Sequence, residues 1–302
     1  MKRLISTLGA RLSKGAPAPR FGSKGTSTRT AAATQFQILS DLHLELGQQY
    51  STYTFPATAP NLILAGDIGL LTHYDAYLSF LHKQTSRYER VFLVLGNHEY
   101  YGLDHATALS TAQKLEGESR LKGKLSLLQQ TRVDLPGAVT VLGCTLWSSV
   151  PEEAKDVVGR KVNDFSRIED WTVDSHNKAH KSDLTWLMAE LDDILLDDSE
   201  RSVLVVTHHA PSVQETSRPE HLGNPWTSAF ATDILSNEED EAWGLVKYWV
   251  YGHTHFSTEF EKCGIRVFSN QRGYVVPGVV SKKGPDTGFD AGRTIQVARG
   301  TI

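Results

Sequence analysis

Short apolar runs that end abruptly in polar residues set the rhythm of this chain. Residues 36–40 form the first, and 61–65 (NLILA), 91–95 (VFLVL), 203–206 (VLVV) and 248–251 follow. Runs of this length bounded by turn-forming residues read as buried strands. Residues 139–146, 258–260, 265–268 and 294–297 read as further β segments. Between them, residues 73–89 and 104–116 read as helices. Ser182 is placed to cap another, reaching about Leu196, with Leu184, Leu187, Met188, Leu191, Ile194 and Leu195 on one face. Strands alternating with helices predict an α/β protein whose helices cover its sheets. Residues 148–175 and 212–230 read as long irregular stretches, the kind that forms functional rims or inserts. No internal repeat is found.

Five of the runs end in side chains that bind metals. In order they carry Asp41-Leu42-His43, Gly66-Asp67, Gly96-Asn97-His98-Glu99, Thr207-His208-His209 and Gly252-His253-Thr254-His255. In an α/β sheet, ligands bind outside the carboxyl ends of the strands, so these side chains converge on one rim. Carboxylate, imidazole and amide together make a donor set for divalent metals. The Asp-x-His and His-x-His spacings put two side chains on one face of an extended segment. Any single motif has a plainer explanation, since a strand-end Asp is commonly a turn former. Five in succession after five strands do not. His208 and His209 compete for the fourth position. His208 follows its strand directly, which favours it, and leaves His209 behind the ligands or facing substrate.

The order DLH, GD, GNHE, THH, GHTH resembles the calcineurin-like metallophosphoesterase superfamily over about residues 36–275. The resemblance implies a four-layer α/β/β/α sandwich of two mixed sheets, with a dinuclear metal site at the strand ends. It implies that Asp41, His43 and His255 bind one ion, that Asn97, His208 and His253 bind the other, and that Asp67 bridges them. The ions would be divalent (Mn, Fe, Zn or Mg). A hydroxide bridging them would attack a phosphomonoester or phosphodiester in line. His98 would sit beside the ions as the acid for the leaving group. Glu99 reads as an orienting residue or a solvated turn residue. Ser269-Asn270-Gln271-Arg272-Gly273-Tyr274 resembles the NPRGY ending of a single-domain branch of predicted phosphohydrolases, with Gln271 in place of proline. Arg272 could grip a phosphate bidentately. Protein Ser/Thr phosphatases carry GDYVDRG, and their histidine-orienting acid is replaced here by Leu70. What orients His98 is therefore left open.

Composition narrows the partners. The 302 residues are 40% hydrophobic and 22% charged, as in a globular protein. The formal net charge is -4, which gives no reason to expect nucleic acid; a small phosphorylated substrate is what the resemblance implies. No apolar run approaches the ~20 residues of a membrane helix. The two cysteines suit a reducing, intracellular compartment. Residues 1–35 differ from the rest: they hold seven Lys or Arg and no acid, so the remainder alone carries -11. They read as a disordered tail, giving a cytoplasmic protein, or as a mitochondrial presequence. The phosphoesterase domain is expected over 36–302. His176, His180 and His221 read as solvated. The main expectation is a metal-dependent phosphoester hydrolase. The alternatives are a non-catalytic scaffold on the same fold and, less well matched to the acidic body, a nuclease.

Overall fold

The computed structural model describes residues 33–298 except 199, 222, 237–240, 277 and 279–287. The tail or presequence expected at residues 1–35 thus lies almost wholly outside the described residues. Its last two residues already belong to the first strand.

Among the described residues, eleven strands form two sheets. The first sheet has the order β11-β1-β2-β3-β4, built from β1 (Thr34–Leu39), β2 (Asn61–Ala65), β3 (Arg90–Val94), β4 (Leu125–Leu127) and β11 (Thr294–Val297). The second has the order β5-β6-β7-β8-β10-β9. Its strands are β5 (Thr131–Leu135), β6 (Val139–Cys144), β7 (Ser202–Thr207), β8 (Val246–Tyr251), β9 (Glu259–Lys262) and β10 (Ile265–Ser269). The strands β1 to β4 run parallel, as do β6, β7, β8 and β10, and each sheet has an antiparallel edge, so both are mixed.

Both faces of each sheet are buried, which is why the central strands read as unbroken apolar runs. Phe36, Ile38, Ile63 and Phe92 of the first sheet pack against Val141, Leu204, Val206 and Val250 of the second. The outer face of the first sheet packs under α1 (Tyr74–Thr85) and α2 (His105–Glu116). That of the second packs under α5 (Val173–Asp197). The result is the expected four layers. The two remaining helices, α3 (Lys155–Lys161) and α4 (Asp164–Arg167), lie in the stretch that reads as irregular, so 148–175 is a folded insert rather than a long loop.

The helix α5 also begins nine residues before Ser182. Thr172 caps it, with Ser175 completing a capping box. The early turns of α5 bury His176, His180 and Asp183 instead of leucines, so the apolar stripe starts late and hides the true start. His176 and His180 are accordingly not solvated. His176 Nε2 accepts from the Ser148 backbone N–H at 3.2 Å, and His180 Nδ1 lies 2.9 Å from the Leu146 carbonyl. His221 is exposed, as expected.

Burial, helped by His180, holds the His176 pKa down at about 3. Between pH 6.5 and 3 the unfolded chain takes up a proton at this position that the folded chain refuses. Stability therefore falls as pH drops through that window, by at most about 1.4 kcal/mol per pH unit from this group. Urea unfolding of His176→Gln between pH 7 and 4 is expected to show a shallower slope than the parent; an unchanged slope would contradict the burial argument.

Candidate metal centre

The parallel strands deliver their carboxyl ends to one edge of the sandwich, and the five polar motifs meet there. Backbone bonds lock the loops together: Asp41 N–H donates to Gly66 O at 3.0 Å, His43 N–H to Asp67 O at 3.0 Å, and Gly252 N–H to His208 O at 3.0 Å. The glycines are required by close approach. A Cβ on Gly96 would run into the Asp67 carboxylate, and one on Gly252 would lie 2.7 Å from Asp41 Oδ2. The backbone is strained where the donors sit. Asp41, His43, Asp67, His253 and His255 all have left-handed φ, between 46° and 73°. Each such residue costs on the order of 1 kcal/mol or more, a cost tolerated where geometry serves a site.

Two donor groups result, and Asp67 is in both. One comprises Asp41, His43, Asp67 and His255; the other comprises Asp67, His208 and His253. Asp67 Oδ2 lies 3.7 Å from His43 Nε2, and Oδ1 lies 3.4 Å from His208 Nε2. Asn97 joins the second group, its Oδ1 3.1 Å from His208 Nε2. Three observations fit these groups to divalent ions. His43 Nε2 and His255 Nε2 face each other at 2.9 Å, close enough to donate to one shared cation when both are unprotonated. His253 Nε2 is buried without a hydrogen-bond partner. Burial, with neighbouring histidines adding, keeps the His253 pKa well below normal and that of His255 at about 3, and neutral imidazole is the form that binds metals.

The field at the centre is negative. Burial, with the Asp67 charge adding to it, pushes Asp41 up to about 6 against the pull of His208 and His43. Burial acts to lower His208, yet the Asp67 and Asp41 charges raise it to about 9. The same balance holds at His98, raised to about 9 by Asp67 and Glu45 despite its burial.

Residues 35–257 match the family described as calcineurin-like phosphoesterase. The chain belongs to that family. It is similar to the uncharacterized protein L509 of Acanthamoeba polyphaga mimivirus, 26% identical over 267 residues that cover 79% of this chain and 90% of the viral protein. Among solved structures, phosphopantetheinyl hydrolase from Mycobacterium tuberculosis shares the fold, with a TM-score of 0.63 at 18% identity over 81% of this chain and 91% of that one. Membership of the calcineurin-like phosphoesterases supports metal-dependent phosphoester hydrolysis in general.

Within this family frame, each residue singled out from the sequence has a definite place. Asp41, His43, Asp67, Asn97, His208, His253 and His255 are brought together. His98 lies beside them: its backbone N–H donates to Asp67 Oδ1 at 2.9 Å, and its ring Nε2 is 3.2 Å from Tyr274 Oη. His209 is fully buried against Trp147, His176 and His253, which leaves His208 facing Asp67. Arg272 is committed elsewhere. Its guanidinium donates to Leu42 O at 3.0 Å and Gln49 Oε1 at 2.8 Å and lies over the Tyr53 ring, so it braces the first loop from behind. Glu99 is no solvated turn residue. It is fully buried and accepts from the backbone N–H groups of Asp67, Ile68, Gly69 and Gly96 and from the Tyr77 hydroxyl, at 2.8–3.2 Å.

Two acids escaped the sequence reading. Glu45 supplies what Leu70 lacks: its Oε1 lies 2.9 Å from His98 Nδ1 and 3.3 Å from His43 Nδ1. The three residues His43, Glu45 and His98 form a further donor group, but the Glu45 oxygen is already shared by the two imidazoles. The signal was available in Asp41-Leu42-His43-Leu44-Glu45, where polar residues alternate with leucines. Asp164 accepts from Asn97 Nδ2 and from the Tyr101 hydroxyl, each at 2.7 Å, and nothing in its spacing announces this.

Because Glu99 faces only donors, Glu99→Gln places an amide N–H₂ against at least two of them. The loss of charge-assisted bonds is expected to cost about 2–3 kcal/mol. A drop of that size in urea unfolding is the expected result; a change under 0.5 kcal/mol would be too small for the bonding described.

Proposed function

We propose that this chain is a metal-dependent hydrolase of small phosphorylated molecules and that it holds two divalent ions. The placement of Asp67 in both donor groups carries the reading. On it, Asp41, His43 and His255 would hold one ion, Asn97, His208 and His253 would hold the other, and Asp67 would contribute to both. Two such ions, when bound, supply Lewis acidity at the phosphoryl oxygens and a nucleophilic water at neutral pH.

The chain's own residues supply the rest. His98 Nδ1 is tied to Glu45, so the ring is oriented, with its Nε2 beside Tyr274 Oη where both residues line the cavity. A proton held at Nε2 is placed for transfer to a leaving oxygen. Tyr274 packs tilted against His43 and edge-on to His255, at ring separations of 4.4 and 4.5 Å, and lines one side of the mouth. A cavity of about 590 Å³ opens from Asp67, Asn97, His98 and His253 toward Trp226 and Phe230, with Lys161 and Arg218 at its rim. That volume suits the organic part of a small ester. The complete donor set is more than a non-catalytic scaffold on this fold needs, and the acidic body disfavours a nucleic-acid substrate.

Chelator-treated protein is expected to be inactive on an aryl phosphate and to regain turnover when Mn²⁺, Zn²⁺, Fe²⁺ or Mg²⁺ is restored. Asp67→Asn should lose both ions in metal analysis; retention of two equivalents at parental affinity would refute the bridging role.

His98→Ala should keep both ions and lose turnover. The loss should reach ~10²–10⁴-fold for alkyl phosphates and be smaller for nitrophenyl phosphate, whose leaving group needs less help. Rates measured across leaving-group pKa decide this, and a flat ratio of parent to variant would remove the acid role.

A further inference from the structure

Asn97 has two ends, and only one can bind a metal. Its carbonyl oxygen is a donor atom for a cation, while its amide nitrogen is not. The two are nearly alike in shape, so some neighbour has to decide which faces the centre. In this fold the decision is made by Asp164. A carboxylate only accepts hydrogen bonds. Its Oδ1 therefore takes the Nδ2 end of Asn97 at 2.7 Å and turns Oδ1 of Asn97 toward His208 and Asp67. Tyr101 holds the same carboxylate oxygen at 2.7 Å and also lies 3.0 Å from Asn97 Nδ2, closing a triangle of three side chains. A tyrosine hydroxyl can donate or accept, so Tyr101 alone does not fix the amide.

The position of Asp164 is costly for folding. It is 1% exposed, and its other oxygen, Oδ2, is buried without a hydrogen-bond partner. Burying a carboxylate this way is unfavourable unless something recovers the cost. Asparagine would satisfy the Tyr101 hydroxyl as well and would bury no charge. Asp164 also comes from the α3–α4 insert, outside both sheets, 67 residues along the chain from its partner Asn97.

We infer that Asp164 is a positioning residue that holds the Asn97 amide in its metal-binding orientation and thereby sets the affinity of the ion shared by Asp67, Asn97, His208 and His253, leaving the other ion untouched. The inference rests on the two-ion reading above, and the following experiment separates the two. Mn²⁺ is titrated calorimetrically into chelator-stripped, full-length parent, Asp164→Ala and Asp164→Asn, with thermal melting recorded alongside. The parent is expected to show two sites; a parent with one site or none refutes the two-ion reading itself. In Asp164→Ala one site should weaken by ~10–100-fold, as when partners behind metal ligands are removed, with the other unchanged. Asp164→Asn, which can still offer an oxygen to Asn97 Nδ2, should lose less but at the same site. Should Asp164→Ala fail to fold, the isosteric Asn variant carries the test. Two sites of parental affinity, or equal weakening of both sites, in a folded variant would overturn the inference while leaving the two-ion reading intact.

Discussion

Glu99 is the constraint on which the centre depends. The loops after β2 and β3 are short and leave their strands with several backbone N–H groups pointing inward, away from any ladder partner. One buried carboxylate gathers four of them, and the α1 residue Tyr77 adds a fifth donor. The two loops therefore cannot move separately, and Asp67 and Asn97 reach the centre as a fixed pair. The His98 backbone N–H then clamps the Asp67 carboxylate from the other side. The left-handed turn at Asp67 is a conformation few residues hold unaided. It persists because its neighbours' hydrogen bonds are already committed.

The same economy governs charge. Asp41 and Asp67 are buried and Glu45 partly so, and among the described residues their ion pairs are with histidines. Arginine and lysine at such a place would cancel the field permanently. Histidine does so only when protonated and can release that proton to become a ligand, which a guanidinium or ammonium here would not do. Glu45 and Asp164 stand behind this set, one orienting His98 and the other Asn97. Both act on side chains whose two ring nitrogens or two amide ends differ in chemistry but little in shape.

Much of this was legible in the sequence, for a definite reason. Strands buried on both faces give unmistakable apolar runs, and the donors sit at their ends, so β2, β3, β7 and β8 and their motifs stand out. Legibility failed where burial is polar. The early turns of α5 pack His176, His180 and Asp183 instead of leucine, and the helix start was placed at Ser182 instead of Thr172. The strand β4 is only three residues long, and β5 lies at a sheet edge, where partial exposure dilutes the pattern. Glu45 was overlooked although it follows His43 at the spacing that made Asp41 and His43 conspicuous. Asp164 could not have been found from spacing, since its role exists only once the insert folds back onto Asn97.

The pairing of β1 with β11 has a consequence for biosynthesis. The first described strand takes its last neighbour from residues 294–297, whereas every donor of the centre lies between residues 41 and 255. A nascent chain thus possesses the complete ligand set while β1 still presents an unpaired edge. Some 42 residues separate His255 from Val297, roughly 2–8 s of translation at about 5–20 residues per second. During that interval an open strand edge and an assembling cluster of imidazoles and carboxylates coexist. Closure of the first sheet is thus a late event in synthesis, and until it occurs the β1 edge is open to strand-to-strand association with other chains.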